Sequence, residues 1–428
     1  MKILKLSAYY PPEQISSSHL SRDLTQAYLD AGFVTDVFCP TPTRGITDEE
    51  RKKYKRIKYE EMYDGRIVVR RFSMFREGKN PIQRAIRYVL VNLVQYFKGS
   101  RAKDIDVIMA GSTPPTQGLL CAMVKKKLSK RYKRNVPFIY NLQDIFPDSL
   151  VTAKMTKKGS LIWKIGRKIE DFTYRHADKI IVISEDFKRN IMEKGVPEGK
   201  IVIIPNWVNT DNVYAVERKD NILFERYGLD PEKFYVCYSG NIGHSQNMRM
   251  LLDAAKALSE ELSDLRFVLI GEGAAEEEVK KAIADENIQN VIMLPFQPYE
   301  EISHVFSLGD AGLIISKPGI GNSSVPSKTW GIMAAERPII ASFDDDSELS
   351  RLIRRVGCGV TAAASEDPTA FMDAVRALYG DRSGNRSMGQ KGRQYLHDEL
   401  DKDKCVGMYV ELIRTTVGEG ESAQHIKV

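Results

Sequence analysis

Apolar residues recur along the chain in short runs that alternate with amphipathic segments. In the first half, the apolar run Ile3–Tyr10 is followed by a helical pattern over 18–31, and the alternation resumes after residue 100. A second series of apolar runs, each followed by a helical pattern, begins at Phe234. Repeated units of this kind predict parallel strands covered by helices. The pattern predicts an α/β fold of two Rossmann-like, doubly wound domains.

A polar, weakly periodic segment separates the two series and predicts the domain boundary. We expect an N-terminal domain over 1–205, a linker over 206–229 and a C-terminal domain over 230–400. Residues 401–428 are expected to form a helix and tail that pack back toward the N-terminal domain. Because open α/β sheets bind ligands at the carboxyl ends of their strands, two such domains suit an enzyme that joins two substrates across a cleft.

Composition predicts a cytoplasmic protein. The chain has no apolar run long enough to span a bilayer, and its start is a strand pattern with alternating Lys, unlike a signal peptide. Its five cysteines are scattered without a Cys-x-x-Cys pair, as expected of buried thiols in a reducing compartment.

Charge is divided unevenly along the chain. Residues 1–200 hold 39 Lys and Arg against 22 Asp and Glu, whereas the remainder holds 24 against 35. The basic half is expected to face an anionic membrane surface, where the helical pattern over 82–98 and the lysines around Trp163 would lie. The alternatives are solvated charge that happens to be uneven and, for 82–98, ordinary core packing. No nucleic-acid motif is present, so no nucleic-acid partner is expected.

Candidate chemistry concentrates in the second half. Pro326 and Ser327 precede an apolar helical run that begins with Lys328, and Ser327 is placed to cap it. A cation at the positive end of a helix is unfavourable unless an anion lies there, so a diphosphate site is expected.

Glycine-rich turns precede this segment in the chain. The apolar run 235–238 leads into Gly240, Asn241, Gly243 and Gln246. We expect the glycines to permit close approach of a ligand and the two amides to bind its diphosphate or sugar.

These motifs resemble those of glycosyltransferase family 4, the retaining GT-B enzymes, and particularly the bacterial branch with L-fucosamine transferases of surface-polysaccharide synthesis. The matching segments are 9–13 (YYPPE), 144–148 (DIFPD), 205–211 (PNWVNTD), 238–243 (YSGNIG), 271–273 (GEG) and 325–334 (VPSKTWGIMA). The resemblance implies transfer of a sugar from a nucleoside diphosphate, with UDP favoured. The sugars that it implies include N-acetylated amino sugars. The acceptor would be a lipid-linked glycan or carbohydrate at the inner face of the membrane. It also implies that configuration is retained and that no metal or other cofactor is required.

The resemblance further implies individual roles. Gly271 and Gly273 would join the donor site, Asp144 would act on the acceptor hydroxyl as a base or orienting group, and Ser16 and Ser17 would form the acceptor-side loop. Glu348 has two interpretations: it belongs to a capping box opened by Asp345, or it binds the donor ribose.

The chain departs from the family at two acidic and two basic positions. The family's pair of glutamates is matched by Ser323 and Gly331, and its usual Arg and Lys after the first donor strand are matched by Asn241 and Gln246. Two other functions therefore stay open. One is a GT-B nucleotide-sugar 2-epimerase, and the other is a non-catalytic membrane-associated scaffold of the same fold.

Overall fold

The computed structural model describes residues 1–13, 18–78, 80–152, 156–207, 210, 212–319 and 326–425. The chain divides into two units. The first comprises Met1–Pro205 together with Asp403–Val428, and the second comprises Asn206–Lys402. The segment predicted as a linker, 206–229, thus lies within the second unit, where Leu223 and Phe224 are buried.

The first unit is built on an eight-stranded sheet of order β3-β4-β2-β1-β5-β6-β7-β8. Its strands are β1 (Lys2–Leu6), β2 (Val34–Pro40), β3 (Tyr59–Met62), β4 (Ile67–Phe72), β5 (Val107–Gly111), β6 (Phe138–Leu142), β7 (Lys179–Val182) and β8 (Ile201–Ile203). Its helices are α1 (Ser18–Asp30), α2 (Asp48–Arg56), α3 (Pro81–Gly99), α4 (Gln117–Tyr132), α5 (Asp148–Thr152), α6 (Leu161–His176), α7 (Glu185–Glu193) and, at the end of the chain, α16 (Lys402–His425). The paired strands are parallel except for β3, which is antiparallel to β4.

The second unit is built on a parallel six-stranded sheet of order β11-β10-β9-β12-β13-β14. Its strands are β9 (Phe234–Ser239), β10 (Leu265–Ile270), β11 (Val291–Leu294), β12 (Ala311–Ile315), β13 (Ile339–Phe343) and β14 (Gly359–Ala363). Its helices are α8 (Ile222–Tyr227), α9 (Met248–Leu258), α10 (Glu276–Asp285), α11 (Ile302–Ser307), α12 (Lys328–Ala334), α13 (Glu348–Val356), α14 (Thr369–Gly380) and α15 (Arg382–Glu399). The predicted pair of doubly wound α/β domains is confirmed.

The sequence pattern did not reveal three elements of the first unit, namely α2, β3 and the short helix α5. The charge run over 51–56 lies in α2, which Thr47 and Glu50 begin with a capping box, and β3 follows it. Arg51 is only 6% exposed and donates hydrogen bonds to the carbonyls of Pro42 and Met74. From sequence alone this run is expected to be solvated, because a short polar helix has no apolar stripe to reveal its buried side; the burial of Arg51 shows that this expectation is wrong.

Helix α3 buries polar residues and exposes apolar ones. Arg87 and Gln95 are completely buried. Five residues of its apolar face are 40–57% exposed, namely Ile86, Val89, Leu90, Leu93 and Phe97. The core-packing alternative for these five residues was wrong, since the helix turns its polar side toward the sheet.

Candidate functional site

Two glycine turns meet at the carboxyl ends of β9 and β10. Gly240 and Gly271 have φ values of +139° and +144°, which side chains rarely adopt. A Cβ atom at Gly271 would lie 2.1 Å from the carbonyl oxygen of Gly240, and one at Gly273 would lie 2.2 Å from that of Ile242. The two loops therefore pack backbone against backbone, and only glycine fits at these contacts.

Hydrogen bonds hold this pair of loops in place. The Ile242 amide donates to the carbonyl of Glu272 at 2.9 Å, and the Ala275 amide donates to the carbonyl of Ile242, also at 2.9 Å. The Tyr238 hydroxyl donates to the carbonyl of Asn241 at 2.6 Å. The loop between β9 and α9 is thus rigidly positioned before any ligand binds.

The predicted amide ligands take part in the loop itself. The Gln246 side-chain oxygen accepts a hydrogen bond from the Gly243 amide at 3.0 Å. A Cβ atom at Gly243 would lie 2.5 Å from Asn241 Nδ2, so Gly243 makes room for that side chain. Gln246 therefore shapes the turn, and contact of either amide with a ligand stays a prediction.

Lys328 brings an ammonium group to the same turns. Its Nζ lies 3.5 Å from the ring centroid of Tyr238 and 3.0 Å from where a Cβ atom of Gly240 would be. No residue in the described parts of the chain forms an ion pair or hydrogen bond with Lys328. Burial lowers the pKa of Lys328 to about 7. The site thus holds a lysine that has no anionic partner among the described residues.

Tyr238 was not predicted as a site residue, although it ends the run before Gly240. Its hydroxyl fixes the loop, and its ring contacts Lys328. A second aromatic side chain missed in the sequence, Phe296, is 67% exposed two residues after β11. Because β11 pairs with β10, Phe296 follows a strand next to the Gly271 turn. The sequence signal that could have revealed Tyr238 and Phe296 is an aromatic residue near the end of a strand.

The residues before α12 differ from the prediction in detail. Ser327 precedes the helix, but its side chain makes no capping hydrogen bond, so the predicted cap is wrong. The carbonyl of Pro326 instead accepts hydrogen bonds from Thr329, at 3.1 Å from the amide and 2.6 Å from the hydroxyl. The exposed Ser327 hydroxyl is left available to a ligand.

The two positions that match the family's glutamates have different outcomes. Ser323 lies outside the described residues. Gly331 is buried in α12, and a Cβ atom there would lie 2.2 Å from the ring of Phe306. The fold of this chain therefore has no space for a carboxylate at Gly331.

Glu348 is the first residue of α13, after β13. The helix is capped by Ser347, whose side chain accepts a hydrogen bond from the Ser350 amide at 3.2 Å. The capping-box interpretation with Asp345 was therefore wrong. Ribose binding by Glu348, which is half-buried, stays a prediction.

The predicted acceptor residues belong to the first unit. Asp144 follows β6, and the residue is exposed. Partial desolvation of its carboxylate by the surrounding chain raises the pKa of Asp144, and a hydrogen bond with Ser149 opposes this shift. Ser16 and Ser17 lie outside the described residues.

Models of two known protein families match residues in the two units. Residues 19–212 match the model of Glycosyltransferase Family 4, and residues 219–395 match that of Glycosyl transferases group 1. The chain carries two glycosyltransferase domains. The family 4 domain contains Asp144, and the group 1 domain contains Lys328 and the glycine turns.

Three individual proteins are similar to this chain over most of its length. The chain is 29% identical to a probable glycosyltransferase, WbjE of Pseudomonas aeruginosa, over 64% of this chain and 66% of WbjE. It is 24% identical to the colanic acid biosynthesis glycosyl transferase WcaI of Escherichia coli K12, over 69% of this chain and 72% of WcaI. Anabaena HepE, solved in complex with UDP, superposes with a TM-score of 0.70 at 14% identity, covering 97% of this chain and all 100% of HepE. The two glycosyltransferase domains together have the GT-B fold.

Proposed function

We propose that this protein transfers a sugar from a nucleoside diphosphate, with UDP favoured, to a lipid-linked or carbohydrate acceptor in bacterial surface-polysaccharide synthesis. The observation that carries the proposal is Lys328, a cation held among glycine turns with no anion among the described residues. The names of WbjE and WcaI and the UDP bound to HepE support the same reaction class.

The chemistry follows from the charge that develops as the glycosidic bond breaks. The leaving diphosphate gains negative charge, which the Lys328 ammonium and free backbone N–H groups would stabilise. The exposed ring of Phe296 would stack on the nucleobase. Pro326, Ser327, Asn241 and Glu348 complete the proposed donor site.

The acceptor side of the proposal rests on the family 4 domain. Asp144 would orient the acceptor hydroxyl or accept its proton, and a raised pKa makes its carboxylate a stronger base. Retention of configuration and an amino-sugar donor such as an L-fucosamine derivative follow from the family resemblance alone.

A membrane surface is the proposed location of the acceptor. Helix α4 packs against both α3 and α6. Like α3, helix α6 exposes apolar side chains: Leu161, Ile162 and Ile165 are 51–74% exposed. Exposed lysines accompany them, namely Lys126, Lys127, Lys130, Lys157, Lys158, Lys164 and Lys168. Apolar side chains among lysines suit the interface of an anionic bilayer. In the described part of the chain, no helix is long and apolar enough to cross a membrane.

Donor binding is tested by thermal unfolding with UDP, GDP and ADP. Ligand at 100 times its Kd stabilises a protein by about 2.7 kcal/mol, so we expect a clear rise in Tm with UDP. Lys328→Met should reduce the rise, whereas Lys281→Met, an exposed lysine of α10, should not. If UDP raised the Tm of the wild type, Lys328→Met and Lys281→Met equally, Lys328 would be excluded from the donor site.

Catalysis is tested separately by release of UDP from UDP-sugars in the presence of lipid-linked acceptors. Nucleotide binding without turnover of any donor would favour the scaffold alternative. Conversion of a UDP-sugar into its 2-epimer without an acceptor would favour the epimerase.

Membrane binding is tested by flotation with anionic vesicles. Replacing Lys157, Lys158, Lys164 and Lys168 with Glu should release the protein, because attraction to the surface would become repulsion. The matched control replaces four exposed lysines of the second unit, Lys219, Lys256, Lys280 and Lys281. Equal flotation of both variants would refute the assignment of this surface.

A further inference from the structure

A cluster of arginines lies at the carboxyl edge of the first sheet, beyond strands β1, β2 and β4. Tyr9 follows β1, Arg44 follows β2 and Glu77 follows β4, while Arg84 and Arg87 lie in the first two turns of α3. Strands β4, β2 and β1 are parallel neighbours, so their carboxyl ends bring these residues together. This is the edge at which open α/β sheets bind ligands.

Glu77 holds the three guanidinium groups in place. Arg44 Nη2 lies 2.6 Å from Glu77 Oε1, and Arg84 Nε lies 3.0 Å from the same oxygen. Arg87 Nη1 lies 3.7 Å from Glu77 Oε2. The Tyr9 hydroxyl donates a hydrogen bond to Glu77 Oε2 at 2.8 Å. Three positive charges thus surround one carboxylate.

The Glu77 carboxylate does not satisfy all the hydrogen-bond donors of the cluster, as Arg87 shows. The Arg87 side chain is completely buried, and its Nε donates to the carbonyl of Phe75 at 3.2 Å. Neither Nη1 nor Nη2 has a hydrogen-bond partner among the described residues. A buried guanidinium with unused donors is costly unless an anion neutralises it. Of the two terminal nitrogens, Nη1 faces Glu77 in the cluster.

The cluster also presents an accessible face. The side chains of Arg44 and Arg84 are 35% and 42% exposed, although Glu77 fixes both. The Tyr88 hydroxyl lies 2.9 Å from that of Tyr9 and adds a further hydrogen-bonding group. Forked guanidiniums in fixed positions suit a multiply charged oxyanion, since little side-chain freedom is lost on binding.

We propose that Arg44, Arg84 and Arg87 form a phosphoryl-binding site in the family 4 domain, which receives the phosphate that joins the acceptor to its lipid. The lipid source rests on the proposed function, because it assumes a lipid-linked acceptor. The site itself does not, because free diphosphate has the same chemistry.

The test is calorimetric titration of the full chain with inorganic pyrophosphate and with decyl diphosphate. Both titrations use the Lys328→Met background, so that the proposed donor site does not contribute. We expect both probes to bind, and Arg84→Gln or Arg44→Gln to weaken each at least tenfold. Arg76→Gln is the matched control, because Arg76 pairs with Asp48 on the exposed surface. It should leave affinity within twofold.

The outcomes separate the two claims. Absence of pyrophosphate binding, or equal binding by the Arg84→Gln and Arg76→Gln chains, would overturn the site. A lower Tm of Arg84→Gln with unchanged affinity would overturn it too, since the cluster would then only hold loops together. Decyl diphosphate binding no tighter than pyrophosphate would overturn the lipid source alone. Binding of either probe is independent of UDP, so failure of the proposed transfer reaction is seen separately in the UDP assays.

Discussion

Lys328 should take up a proton when the donor binds. Burial lowers its pKa from the usual 10.5 to about 7, because few polar groups replace the water around the ammonium. This difference corresponds to at most about 5 kcal/mol, since part of the side chain still contacts water. A cation–π contact with the Tyr238 ring, whose centroid lies 3.5 Å from Nζ, offsets about 2 kcal/mol of that cost.

These values set the expected proton uptake. At pH 8.5, a pKa of about 7 leaves only about 3% of Lys328 charged. A diphosphate beside Nζ favours the charged form, so binding should draw about 0.5 to 1 proton from the buffer. The nucleotide adds no protons of its own, because a terminal phosphate with a pKa of about 6 is fully ionised at this pH.

The assay is calorimetric titration with UDP at pH 8.5 in buffers of different ionisation enthalpy. The dependence of the observed heat on that enthalpy gives the number of protons taken up. Lys328→Met should show weaker binding and no uptake. Lys328→Arg should bind UDP without uptake, because Arg stays charged. Uptake below about 0.2 proton in the wild type, or equal uptake in the Met variant, would refute the reasoning.

The same shift predicts how stability depends on pH. The folded pKa of Lys328 is lower than the unfolded one, so the unfolded chain binds more protons between about pH 7 and 10.5. The cost of burying the charge is therefore full below pH 7 and disappears as the pH rises toward 10.5. Without ligand, Lys328→Met should raise the free energy of unfolding at pH 6.5 more than at pH 10, as measured by urea unfolding.

Three further predictions concern separate parts of the chain. Asp144→Asn should lower turnover and leave the UDP-induced rise in Tm unchanged, because Asp144 lies in the other domain; a lost thermal shift would contradict that assignment. Gly331→Glu should lower the free energy of unfolding by more than about 2 kcal/mol in urea titrations, since its side chain would meet the ring of Phe306. Gly407→Ala in α16, where a Cβ atom meets nothing within 4 Å, is the control and should not destabilise. Replacing Leu161 and Ile165 with Ser should reduce vesicle flotation without lowering Tm, because both are exposed; undiminished flotation would leave the lysines alone as the membrane contact.

The sequence by itself determined the two α/β domains and most of their elements. Apolar runs such as Phe234–Ser239 must be buried on both faces, and this requirement alone predicts strands between helices. The sequence also marked Lys328 and the glycine turns, because a cation at a helix start and glycines after a strand are local signals.

Only the tertiary structure decided what those residues contact. Residues about 90 positions apart in the chain, Tyr238 and Lys328, meet because β9 and β12 are neighbours in the sheet, and no local pattern encodes that pairing. The arginine cluster was invisible for the same reason, since its members follow three different strands. The buried side of α3 was also decided by tertiary structure. Its apolar stripe fits a membrane contact as well as a core contact, and the structure turns the polar face inward, where Gln95 donates hydrogen bonds to the carbonyls of Ser7 and Phe38.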